Sequence, residues 1–162
     1  MMIELLKSDI DDFAVVKSIL NDIEIKEVNI DELLSVLLKT NNLLVANMIA
    51  FRLKKIKDSK ILSALITVIE RPGSLNKRAK LIYCCDEYDC TKYFELFMQI
   101  VFEESGESCI NAIDIISEMK GPFLSRQLSD AVDKINSYID SNKNDDKTPY
   151  LKKLKKHLKK LL

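Results

Sequence analysis

Ala46, Ala79 and Ala112 stand 33 residues apart, and the same interval separates Glu70 from Glu103 and Gly73 from Gly106. A repeat of that length matches one helical hairpin, a unit too small to bury its apolar side alone, so copies must stack on one another. Between these markers the apolar residues fall at helical spacing. One run is Leu43, Ala46, Ile49, Ala50, Leu53 and Ile56, and the next is Ile61, Leu62, Leu65, Ile66 and Ile69. Phe94, Phe97, Met98 and Val101 follow, then Ile110, Ile113, Ile116 and Met119. Ile69, Val101 and Ile135 keep nearly the same interval. Upstream, Phe13, Val16 and Leu20 share one face and Leu33, Leu34, Leu37 and Leu38 another, so the N-terminal 40 residues read as a degenerate first unit. Three glycines and three prolines in 162 residues leave few places for tight turns.

Helix boundaries follow from capping chemistry. Asn29 can open one helix with Glu32 reaching back as in a capping box. Asp58 or Ser59 can accept from the free amides of another. Residues 71–74 break the pattern, a helix is expected over 75–86, and Asp89 or Thr91 begins the next. Residues 104–108 break it again before a helix over 109–119. Gly121-Pro122 is expected to end that helix and open another, since proline suits a first turn, with Leu124, Leu128, Ala131, Val132 and Ile135 inward. Residues 140–148 are polar and read as a linker. A last helix, 149–162, carries Leu151, Leu154, Leu158, Leu161 and Leu162 as one stripe backed by lysines. The expected organisation is a repeat domain over 1–139, the linker, and a basic amphipathic helix packed as a cap.

Alanines placed near the middle of each first helix, Asp58 and Asp89 at the turns, and Ile/Leu/Phe ladders on the second helices give residues 9–137 a resemblance to HEAT-like (armadillo-type) repeats. The resemblance implies an all-α fold, an α-solenoid or right-handed superhelix of about four hairpins. Two departures stand out: Gly121-Pro122 replaces a turn aspartate, and Arg52 and Arg78 are out of phase with one another.

Little in the chain points to catalysis. His157, the one histidine, lies among lysines with no nucleophile or metal partner near it in sequence. There is no glycine-rich phosphate loop and no convincing nucleophile–base set. Cys84, Cys85, Cys90 and Cys109 lack the paired knuckles of a zinc site and read as buried, reduced thiols. No catalytic residue, metal or cofactor is expected. The first residues, MMIELLKSDIDDF, lack a secretory pattern, and a cytoplasmic location is expected.

Charge is the more informative feature. The net charge is zero, yet residues 147–162 hold seven lysines and no acid, leaving 18 basic and 25 acidic side chains elsewhere, a balance of −7. An acidic helical stack with a basic end suggests a protein-binding module. Size, acidity and helical build are similar to those of bacterial immunity (antitoxin) proteins, which implies neutralisation of a cognate, basic, nuclease-type toxin domain by direct binding. Glu95, Glu103, Asp130 and Asp133 are the expected partner contacts, with Asp86 and Asp89 next. One alternative is a general HEAT-like scaffold or adaptor, membrane-associated through its last helix. Another is a HEAT-like enzyme acting on DNA, which the acidic body and absence of tryptophan disfavour.

Overall fold

In the computed structural model, residues 30–75 and 77–162, with Ser18, are described; the helix expected around Phe13, Val16 and Leu20, first of the degenerate N-terminal unit, and the Asn29 cap lie outside them. Among the described residues the chain is all-α, with eight α-helices: α1 (Ile30–Lys39), α2 (Leu43–Leu53), α3 (Ser59–Ile69), α4 (Ala79–Cys84), α5 (Phe94–Glu103), α6 (Gly106–Glu118), α7 (Ser125–Ser141) and α8 (Thr148–Leu161). The chain forms two compact units, Met1–Tyr88 and Asp89–Leu162.

In the first unit, α1 packs on α2 and α3, and α4 packs on α2 and α3. Asn42 caps α2, its side-chain oxygen accepting from the amides of Leu44 and Val45 at 2.9 and 3.3 Å. Of the two cap candidates for α3, Asp58 does the work, accepting from Lys60 N at 2.9 Å. Leu33, Leu37, Ile49, Leu53, Ile61, Leu65 and Ile69 are fully buried, as the spacing requires. Leu38 is instead half exposed and Val36 takes the inward place. The sequence interval reappears in the bonds. Lys54–Asp86, Lys57–Glu87, Lys60–Asp31, Tyr88–Ile56 and Arg71–Leu38 all join residues 29 to 33 positions apart. Two arginines close helix ends, as cations near a C-terminus can. Arg71 donates to the carbonyls of Thr40 and Leu38, just past and within α1, and the buried Arg78 donates to Ile69 O, the last carbonyl of α3, at 2.6 Å. α4 is shorter than the expected 75–86 helix and tightens into a 3-10 turn, Cys85–Glu87. Ala79 is accordingly the first residue of its helix and not its middle.

In the second unit, α5 packs on α6, while α8 packs on both α6 and α7. Phe94, Phe97, Ile100 and Val101 of α5 and Ile113, Ile115 and Ile116 of α6 are buried in this packed pair. Asp89 folds its side chain onto Thr91, accepting from the amide at 2.9 Å and the hydroxyl at 2.6 Å, and a 3-10 turn (Thr91–Tyr93) leads into α5. α6 opens three residues earlier than expected, at Gly106, whose φ of +59° is left-handed. Pro122 does not open a helix. Residues 119–124 run as a connection containing a cis Gly121-Pro122 bond, α7 begins at Ser125, and Leu124 is 71% exposed instead of inward. The linker shortens to 142–147 because α7 continues to Ser141. Leu151, Leu154 and Leu158 are buried, whereas Leu161 and Leu162, expected in the same stripe, are exposed. Among the described residues no helix is long and apolar enough to cross a membrane.

Candidate functional site

A broad, open groove of about 710 Å³ runs along α7 in the second unit. Its helix side is formed by Asp130, Asp133, Lys134, Ser137, Tyr138 and Ser141, and it is closed by Phe102 of α5 and Asn142. Residues three and four apart share a helix face, which is why Asp130, Asp133–Lys134, Ser137–Tyr138 and Ser141 line up along one side of α7. The opposite side of the same helix buries Leu128, Ala131, Val132 and Ile135. The groove residues are thus the polar half of an amphipathic helix whose apolar half fixes its position.

The aromatic wall is held rigidly. The rings of Phe102 and Tyr138 lie 5.8 Å apart at a tilt of 43°, a favourable aromatic geometry. The Tyr138 hydroxyl donates to Asp145 Oδ2 at 2.8 Å, and Asp145 Oδ1 accepts from Lys147 N at 2.7 Å. Lys147 Nζ donates to the carbonyls of Val101 and Phe102 at 3.3 and 3.2 Å, and lies 5.4 Å from the Tyr138 ring centroid. One lysine therefore neutralises the negative end of α5 and braces the groove's tyrosine. Burial, together with the bond to Asp145, pushes the Tyr138 hydroxyl up to about 12. The Lys147 amide and then the Tyr138 hydroxyl hold the Asp145 carboxyl below its usual value.

The groove's carboxylates are open to solvent. Asp130 makes only a loose contact with Arg126, 3.6 Å along the helix, with the two side chains 60% and 90% exposed. Among the described residues no ion pair engages Asp133. Two carboxylates beside two aromatic faces offer a partner cation both Coulombic attraction and cation–π contact.

Of the contacts expected from sequence, only Asp130 and Asp133 line this groove. Glu103 follows Phe102 on α5, is exposed, and accepts from Gln99 Nε2 at 2.8 Å. Glu95 is exposed in the first turn of α5, about 12 Å up the helix axis from Glu103. Asp86 lies in the first unit, 2.9 Å from the Lys54 ammonium. Asp89 is turned onto Thr91, whose hydroxyl and amide hold its carboxyl below the usual range. Phe102, Tyr138 and Asp145 are not marked out by the sequence, and Lys147 stands there only as one of the seven C-terminal lysines. The signal was a lone tyrosine on the polar side of an amphipathic helix, seven residues before an aspartate that can accept its hydroxyl.

Burial governs the chemistry of Cys84, Cys85, Cys90 and Cys109. All four are buried and no disulfide joins them. Burial pushes the Cys84 thiol up to about 12, with Asp86 adding to the shift and Lys54 opposing it. Among the described residues no group of histidine, cysteine or acidic side chains is placed to hold a metal ion.

No family model, curated protein or solved structure matches the chain.

Proposed function

We propose that the chain is a protein-binding module, of HEAT-like stacked-hairpin build, that takes a basic segment of a partner protein into the α7 groove. The observation that carries the reading is the pairing of Asp130 and Asp133 with the braced Phe102–Tyr138 wall. A lysine or arginine entering there meets two solvent-open carboxylates and an aromatic wall already braced by Asp145 and Lys147, so little rotamer entropy is lost at the wall on binding. The helix-on-second-neighbour packing of α1 with α3 and α2 with α4, and bonds spanning about one repeat, support the stacked-hairpin part of the reading.

More specifically, an immunity protein that neutralises a basic, nuclease-type toxin domain fits an acidic receptor of this kind. Nuclease surfaces are basic because they bind phosphate, and carboxylates can occupy the same cationic cleft. Affinity capture with the immobilised chain, followed by a salt series on the purified complex, tests this. The expected partner is basic and its association slows steeply with salt. A partner that is acidic, or whose association is indifferent to salt and to Asp130→Asn with Asp133→Asn, refutes it.

A further inference from the structure

We propose that the outer face of α8 docks on an anionic phospholipid surface, lying on the headgroups without inserting. α8 carries six lysines and no acid. At about 100° per residue, Lys153, Lys156 and Lys160 lie opposite the buried Leu151, Leu154 and Leu158. Lys152 and Lys159 lie on the edge shared with Lys155, whose ammonium reaches across to Asn136 Oδ1 of α7 at 3.0 Å. Lys152, Lys153, Lys156, Lys159 and Lys160 are all exposed, and among the described residues none pairs with a carboxylate. The lysines run from Lys152 to Lys160, so the row of cations extends about 12 Å along the helix axis.

Packing decides how such a face is used. The leucine stripe that could have entered a bilayer is already covered by α6 and α7. Attraction is therefore left to the ammoniums, which makes the contact superficial and salt-sensitive. The chemistry favours lipid headgroups over nucleic acid. Every cation on α8 is lysine, a point charge, and none is the forked arginine suited to paired phosphate and base contacts. The apolar groups beside the lysines are Tyr150, 45% exposed, and Leu161, 39% exposed, together on the flank next to Lys153 and Lys160. They would gain from the interfacial zone of a bilayer, where tyrosine is favoured. This docking is independent of the α7 groove.

Flotation of the full chain with vesicles tests the proposal, using phosphatidylcholine alone and phosphatidylcholine mixed with phosphatidylserine, at low and high salt. Binding is expected only to the mixed vesicles and only at low salt. Replacing three exposed lysines together, Lys153→Ala, Lys156→Ala and Lys160→Ala, lowers partitioning about a hundredfold. Should that variant lose its helical circular dichroism, displacement of the unaltered chain by polylysine pre-bound to the vesicles serves instead. Asp130→Asn with Asp133→Asn weakens basic-partner binding about a hundredfold under the groove reading but leaves vesicle binding intact, so the two readings fail separately. The proposal is overturned by no binding to phosphatidylserine vesicles at low salt, by equal binding to neutral vesicles, by a folded three-lysine variant that binds undiminished, or by polylysine that displaces nothing. Tighter binding to a duplex oligonucleotide than to the vesicles would assign the face to nucleic acid and overturn it as well.

Discussion

The Lys54 ammonium sits 2.9 Å from Asp86 and 3.4 Å from the centroid of the Tyr83 ring, on a side chain only 9% exposed. Burial works against its charge, but Asp86 and Tyr83 outweigh that and leave its pKa raised. The two partners are therefore not equivalent under mutation. Asp86→Ala leaves a buried cation with only the tyrosine face and should cost about 1–3 kcal/mol, below the range for a fully buried pair because Asp86 is itself 41% exposed. Lys54→Met keeps the stem's packing and leaves a carboxylate that water can reach, so it should cost less than about 1 kcal/mol. Urea unfolding of both variants gives the order directly; a larger loss for Lys54→Met would contradict it. Gly106 poses a simpler question. An added Cβ there meets nothing within 4 Å, yet φ is +59°. Gly106→Ala should therefore lose about 1 kcal/mol from backbone conformation alone, with no change in packing.

Elements were legible where one force set them. Helical spacing located α2, α3 and α5 and most of their buried residues, since an apolar stripe at that period has one place to go. Ends were harder, because two local options competed. Gly121-Pro122 can open a helix or make an extended connection, and only tertiary packing, with Phe94 and Phe123 rings 5.3 Å apart, accompanies the second outcome. Residues 140–148 read as a polar linker, but 142–147 form a bonded turn, since Asp145 accepts from both Tyr138 and Lys147. That turn should be acid-labile. The folded Asp145 carboxyl is held below its unfolded value, so its contribution to stability is present above about pH 4 and is lost as pH falls through the lowered value. Asp89 and Glu87 shift in the same direction and add to the trend. Hydrogen exchange should show the Lys147 and Thr148 amides opening earlier on acidification than those of α5. Asp145→Asn should abolish that difference, and an unchanged profile would count against it. Lys147→Met removes the cation from the end of α5 and should cost about 1 kcal/mol.

For the molecule as a whole, a net charge of zero conceals an acidic majority and a basic end, and that segregation was plain from the lysine positions alone. Which acids form a recognition surface was not. Sequence ranked Glu95, Glu103, Asp130 and Asp133 together, ahead of Asp86 and Asp89, whereas folding commits Asp86 to Lys54 and Asp89 to Thr91 and leaves only Asp130 and Asp133 of the six facing a groove. The aromatic wall was invisible for a related reason: Phe102 and Tyr138 are 36 positions apart and meet only through packing of the second unit. These assignments make a combined prediction about binding. Asp130→Asn and Asp133→Asn should each weaken a basic partner about tenfold, chiefly through association, and their effect should shrink as salt rises. Tyr138→Leu removes the π face and the Asp145 bond together, so it should act on dissociation and persist at high salt. Asp86→Asn, although it removes the same charge, should leave partner affinity within about twofold, because in the folded chain that charge is already spent on Lys54. Stopped-flow association and dissociation rates across a salt series separate the three behaviours. If Asp86→Asn weakened the partner as much as Asp130→Asn, binding would be responding to total charge, and the groove would lose its claim to be the site.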